Sequence, residues 1–146
     1  MTTSRAVLAA TVAALLRLAP ARADDTAAAV AVVDAQLAAY NAHDLEGLLA
    51  LFSPDCELYE FPDTLVAKGT DALRTRYAAR LAEPNLHVEI AHRVAVGDKV
   101  IDEEHLTRTF PEGPGTIVVA VISEVRGGKV TRAWLIAGEK RLAPAR

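Results

Sequence analysis

Residues 87–110 read His87-Val88-Glu89-Ile90-Ala91-His92-Arg93-Val94-Ala95-Val96, then Gly97-Asp98, then Lys99-Val100-Ile101-Asp102-Glu103-Glu104-His105-Leu106-Thr107-Arg108-Thr109-Phe110. Val88, Ile90, Val94 and Val96 share one parity, the period of a strand with one apolar face. Gly97-Asp98 is a two-residue hairpin signal. The partner strand sorts less cleanly. One face carries Val100, Asp102, Glu104, Leu106, Arg108 and Phe110, and the other carries Lys99, Ile101, Glu103, His105, Thr107 and Thr109. The second face reads as solvated. The first then points two carboxylates and an arginine inward, where charges must be paired or hydrogen-bonded. Arg108 reaches Glu104 at i+4 on the same face. Asp102 is left needing a partner, and His92, with the parity of the apolar face opposite, is the candidate.

The period continues downstream. Pro111-Glu112-Gly113-Pro114-Gly115 reads as a turn, Thr116–Arg126 as a β-branched strand, Gly127-Gly128 as a second tight turn and Lys129–Leu142 as a return strand. Upstream the period is helical. Val30, Val33, Leu37 and Tyr40 mark a helix over Thr26–Asn41, and Asp44 caps a short second helix with Leu45, Leu48, Leu49 and Phe52 as its stripe. Thr70 or Asp71 caps a third to about Leu81, with Leu73, Tyr77 and Leu81 on one side. Between the second and third helices, Cys56–Phe61 reads as a single short strand ending at Pro62. Its alternation places Cys56, Leu58 and Glu60 together. Glu60 closes an apolar row, so it either reaches solvent or serves as a general base in a pocket. Three helices, one strand among them and a four-stranded meander predict a single α+β domain, a curved sheet with helices on its concave side.

Composition narrows the function classes. Hydrophobic residues make up 51%, and the net charge is −3. No basic excess points to nucleic acid. Arg74, Arg76 and Arg80, interleaved with alanines on the third helix, read as a solvated face. Cys56 is the only cysteine, which excludes an intramolecular disulfide, and its strand position suggests a buried, inert thiol. His43, His87, His92 and His105 lack metal-ligand spacing, and no P-loop, dinucleotide fingerprint or G-x-S-x-G motif occurs. Neither a cofactor nor a metal is required. Residues 1–23 have the three parts of a secretory signal: Arg5, the apolar run Ala6–Leu16 and Ala21-Arg22-Ala23 as a cleavage site. The apolar run is too short to span a bilayer. The expectation is a periplasmic or secreted chain with a mature domain over residues 24–146 and no membrane span once the signal is removed.

The stretches Tyr40-Asn41-Ala42-His43-Asp44-Leu45-Glu46-Gly47, Leu51-Phe52-Ser53-Pro54-Asp55, Gly69-Thr70-Asp71-Ala72-Leu73 and Gly138-Glu139-Lys140 carry a family likeness. Over about residues 28–140 the chain resembles the NTF2-like superfamily, in its SnoaL-like and ketosteroid-isomerase-like branch. The resemblance implies a cone that admits a small, largely apolar ligand, and a homodimer formed through the outer sheet face, here with Trp134 and Ile136. Ketosteroid isomerases pair an aspartate base with an oxyanion hole of a tyrosine and a protonated aspartate. By the resemblance the base position falls on Glu60, the tyrosine near Gln36 and the protonated aspartate near Ser123. It implies an isomerase, cyclase or lyase doing acid–base proton transfer, with Glu60, Asp102 and His92 as catalytic residues. Gln36, Tyr59, Glu104, Arg108 and Ser123 would contact the ligand. The alternative is a non-catalytic ligand-binding or dimerisation domain.

Overall fold

A computed structural model describes residues 23–144; the signal-sequence reading of residues 1–23 therefore lies almost wholly outside the described residues. The chain runs α1 (Ala23–Asn41), α2 (Leu45–Leu49), β1 (Phe52–Glu60), β2 (Thr64–Lys68), α3 (Gly69–Leu81), β3 (His87–Val96), β4 (Lys99–Phe110), β5 (Gly113–Arg126) and β6 (Lys129–Leu142). The six strands form one sheet in the order β2-β1-β6-β5-β4-β3. Every neighbouring pair is antiparallel except β1 with β6. This is the α+β NTF2-like cone, with the helices on the concave face.

Helix α1 lies over the meander. It buries Ala29 and Val33 and reaches β3, β4, β5 and β6. Its C-terminus is tied down by Asn41, whose side-chain amide donates to the Val88 carbonyl at 2.9 Å and accepts from the Val88 N–H at 2.8 Å. Asp44 caps α2, accepting from the Gly47 N–H at 2.9 Å, which satisfies a helix-end donor that would otherwise lack a partner. Helix α3 packs on β1 and β2 through Leu73, which is fully buried. Its preceding residue, Lys68, makes no side-chain cap, so neither Thr70 nor Asp71 plays the role expected of it.

Two local features depart from the sequence reading. Thr64–Lys68, where no strand was expected, is the edge strand β2, pairing with β1 from Glu57↔Lys68 to Glu60↔Thr64. Five residues alternating weakly at a sheet edge carry little periodic signal. The second departure sits in the decisive stretch. Strand β3 pairs Ile90 with Glu104 and then His92 with Glu103, leaving Ala91 as the extra residue of a β-bulge. An added residue inverts the facing of everything after it. Val88 stays buried, but Val94 and Val96 turn outward with 57% and 68% of their surface exposed.

Candidate functional site

A cavity of about 100 Å³ lies between α1, α3 and the concave sheet face. Val33, Leu37, Leu48, Leu58, Val88, Val121, Ala133 and Leu135 give it an apolar lining. Tyr40, Phe52 and Tyr77 form an aromatic wall, with Tyr77 stacked on Phe52 at 5.5 Å between ring centroids and edge-on to Tyr40 at 6.2 Å. The polar lining is Gln36, Ser123, Asp102 and Glu104.

The inward face of β4 is as the alternation predicted, and two of its charges are handled in different ways. Asp102 is 2% exposed. Its partner is Arg93, which donates from Nε at 2.6 Å and from Nη2 at 2.7 Å, a bidentate fork that satisfies both carboxylate oxygens. Arg93 also binds Asp34 of α1. These carboxylates raise the guanidinium pKa, Asp102 most of all. Arg93 reaches Asp102 because the Ala91 bulge pairs it opposite that residue. The same bulge turns His92 outward. Its side chain is 81% exposed, and its ring faces Glu103 on the solvent side at 3.3 Å.

Glu104, two residues along the same face, has no hydrogen-bond partner among the described residues. The arginine expected to neutralise it, Arg108, is engaged elsewhere. Arg108 donates to Glu83 at 2.7 and 3.2 Å, and the same carboxylate accepts from the Thr109 N–H. Burial therefore pushes the Glu104 carboxyl up to about 7, the Asp102 carboxylate adds to the rise, and Arg93 opposes it. A carboxyl poised there holds a proton and releases it near neutral pH, as a general acid–base group does. Burial likewise raises the Tyr40 phenol to about 12 and the Tyr77 phenol further, so both remain hydrogen-bond donors at neutral pH.

The remaining expected site residues divide in the same way. Gln36 and Ser123 line the cavity, as do Asp102 and Glu104. Glu60 is exposed at the end of β1 beside Leu135, outside the lining. Tyr59 has the opposite parity to Leu58 and lies on the outer face, stacked on Trp134 at 6.0 Å with its hydroxyl donating to Glu57. Tyr40, Tyr77 and Arg93 are site residues that the sequence reading passed over. The two tyrosines were legible as members of buried helical stripes, where a phenol needs a partner. Arg93 carried no such signal, because the bulge that turns it inward has no marker in the sequence. Among the described residues no cluster of three or more His, Cys, Asp or Glu side chains could hold a metal ion.

Residues 33–133 match the SnoaL-like domain. The chain belongs to the SnoaL-like domain family. Solved structures of the same fold include an uncharacterised cystatin-fold protein from Novosphingobium aromaticivorans, 26% identical, covering 74% of this chain and 97% of that one with a TM-score of 0.68. An LEH-like epoxide hydrolase from M. tuberculosis is 19% identical, covers 77% and 84%, and has a TM-score of 0.67. A protein of ketosteroid-isomerase-like fold from Catenulispora acidiphila, solved with trimethylamine, is 22% identical, covers 71% and 82%, and has a TM-score of 0.62. Within this SnoaL-like fold the cavity opens on the concave side of the sheet, which is where Glu104 and the aromatic wall are found.

Proposed function

We propose that this SnoaL-like chain is an acid–base enzyme that moves a proton on a small, largely apolar, oxygen-bearing ligand, an isomerase, lyase or epoxide-opening type of reaction. One observation carries the reading. Gln36, Tyr40, Tyr77, Glu104 and Ser123 all line one cavity, and among the described residues none of their side chains has a hydrogen-bond partner. Their polar atoms open on the cavity rather than being sealed in protein, Ser53 Oγ being the one fully buried side-chain polar atom without a partner among the described residues; convergent polar groups in an apolar pocket are the form a ligand site takes. In this reading Glu104 donates or accepts the proton. Tyr40, Tyr77, Gln36 and Ser123 hold the oxygen, stabilising charge that builds on it. Burial first, and Asp102 beside it second, favour the protonated form of Glu104. The epoxide hydrolase among the proteins of like fold supports the reaction type.

Cavity size limits the substrate. An apolar cavity of about 150 Å³ holds benzene, and drug-sized ligands fill about 300 Å³ or more. A space of about 100 Å³ takes a ligand of a few heavy atoms, or the buried end of a longer one.

The test is kcat/KM against pH with a panel of small epoxides and α,β-enones. Glu104→Gln is expected to lower it by about 10²-fold or more and to remove an inflection near pH 7, while Glu60→Gln leaves both unchanged. An unaltered profile in Glu104→Gln removes that residue from the chemistry. Binding without turnover of any member of the panel favours the second reading, a ligand-binding domain, which the same unpaired polar groups support. We propose further that the chain is a homodimer and that residues 1–23 direct its export; amino-terminal sequencing of secreted protein, expected to begin at Asp24, checks the latter.

A further inference from the structure

The buried face of α3 carries a charge that the proposed chemistry does not use. Leu73, Tyr77 and Arg80 follow the i, i+4, i+7 spacing of one helical stripe. Leu73 is fully buried and Tyr77 lines the cavity, so Arg80 leaves the helix on the same side. Its side chain is only 23% exposed. The one carboxylate near it is Glu83, at 4.0 Å, beyond hydrogen-bond range. Glu83 is already committed, accepting two bonds from Arg108 and one from the Thr109 N–H. The Arg80 guanidinium therefore makes no hydrogen bond among the described residues. Burial most of all lowers its pKa, and Arg108 and Arg76 add to this as like charges. Two guanidiniums, Arg80 and Arg108, face one carboxylate. Of the charges that act on the Tyr40 phenol of the cavity wall, Arg80 is the strongest.

We propose that Arg80 anchors the carboxylate of a small acid whose hydrocarbon end enters the cavity. A planar guanidinium with unused donors in a half-buried setting matches a carboxylate bidentately. The anion supplies the charge that Glu83 is too occupied to give and relieves the repulsion from Arg76 and Arg108. Arg80 and Glu104 are separate groups: both act on the Tyr40 phenol, and Arg80 is not among the charges that shift Glu104. The ligand's two ends thus meet separate groups: the anion at Arg80, the reacting end at Glu104 and the two tyrosines. This inference rests on the cavity being the ligand site, and it narrows the ligand to amphipathic monocarboxylates.

Calorimetric titration at pH 7.5 with butyrate and with its neutral isostere butyramide separates the two ideas. Butyrate is expected to bind about tenfold or more tightly than butyramide, the yield of one charge-assisted pair. Arg80→Gln should abolish that preference while leaving butyramide binding unchanged. Arg80→Lys should restore part of it, and Glu104→Gln should keep it. Equal affinity for the two probes in the wild-type protein overturns the inference and leaves the cavity reading standing. A preference that survives in Arg80→Gln, or inorganic phosphate displacing butyrate at lower concentration than butyrate itself binds, also overturns it. Absence of binding by either probe overturns both.

Discussion

Glu104 and Asp102 are two residues apart on one strand face, and the fold gives them opposite surroundings. Asp102 meets the Arg93 fork, whereas Glu104 meets the cavity and its carboxyl rises from 4.5 to about 7. Between those two pH values the folded protein binds a proton that the unfolded chain has lost. Stability therefore falls as pH rises through this window and is level above it. The full contribution is present below pH 4.5 and gone above 7. The shift corresponds to roughly 3 kcal/mol. Urea unfolding of wild type and Glu104→Gln at pH 4.5 and pH 8 isolates it, since other titrating groups are common to both proteins. The variant is expected to gain up to about 3 kcal/mol on wild type at pH 8 compared with pH 4.5. A constant difference across that range would mean that Glu104 does not titrate in the cavity. At this scale the sequence was half legible. Mixed polarity on the inner face of β4 announced Asp102 and Glu104, whereas the wetting of Glu60 depended on where β1 ends relative to its neighbours, which alternation does not report.

One residue in strand β3 decides the electrostatics of the site. With Ala91 bulged, Arg93 stands opposite Asp102 and His92 faces solvent. Deleting Ala91 keeps this register, with His92 still on Glu103 and Arg93 still on Asp102, whereas Arg93→Leu takes the partner of Asp102 away. Asp102 would then be buried without its fork, a loss of about 3–5 kcal/mol. Thermal unfolding should show Arg93→Leu strongly destabilised or unfolded, while Ala91→Ser, which leaves the fork in place, stays within about 1 kcal/mol of wild type. Comparable stability for both variants would show that the Arg93 fork contributes little to keeping Asp102 buried. The hydrophobic pattern of β3 gave the wrong sign for its second half because Val94 and Val96, with 57% and 68% of their surface exposed, look like core residues in sequence. Edge strand β2 was missed for a related reason: a half-exposed strand at a sheet border has little pattern to read.

On the molecule as a whole, the outer sheet face explains those stray valines. Val94, Ile101, Ile122, Trp134 and Tyr59 are register neighbours across five strands, and Ile136 lies in the next row beside Ala120. Ile101 and Ile136 leave 39% and 42% of their surface exposed, so the row continues as an apolar band wider than scattered surface residues make. The homodimer proposed above would cover this band. Sedimentation velocity at micromolar concentration should find a dimer, and Ile136→Lys should shift it to monomer without lowering the unfolding temperature of the isolated subunit. A wild-type monomer would rule out this face as a self-association surface.

Local physics in the sequence alone determined the elements of this protein: helical and strand periods, the Asp44 cap, the hairpin turns, and the charged inner face of β4. Those are set within a few residues of one another, so the chain states them directly. Which polar side chains share a cavity was decided only by the tertiary structure. Tyr40 and Tyr77 come from different helices, Arg93 arrives through a bulge, and Arg108 is drawn away by Glu83 across 25 residues. Such meetings depend on register and on how helices lie over a curved sheet. A shift of one residue there reverses a side chain, and no local pattern records it.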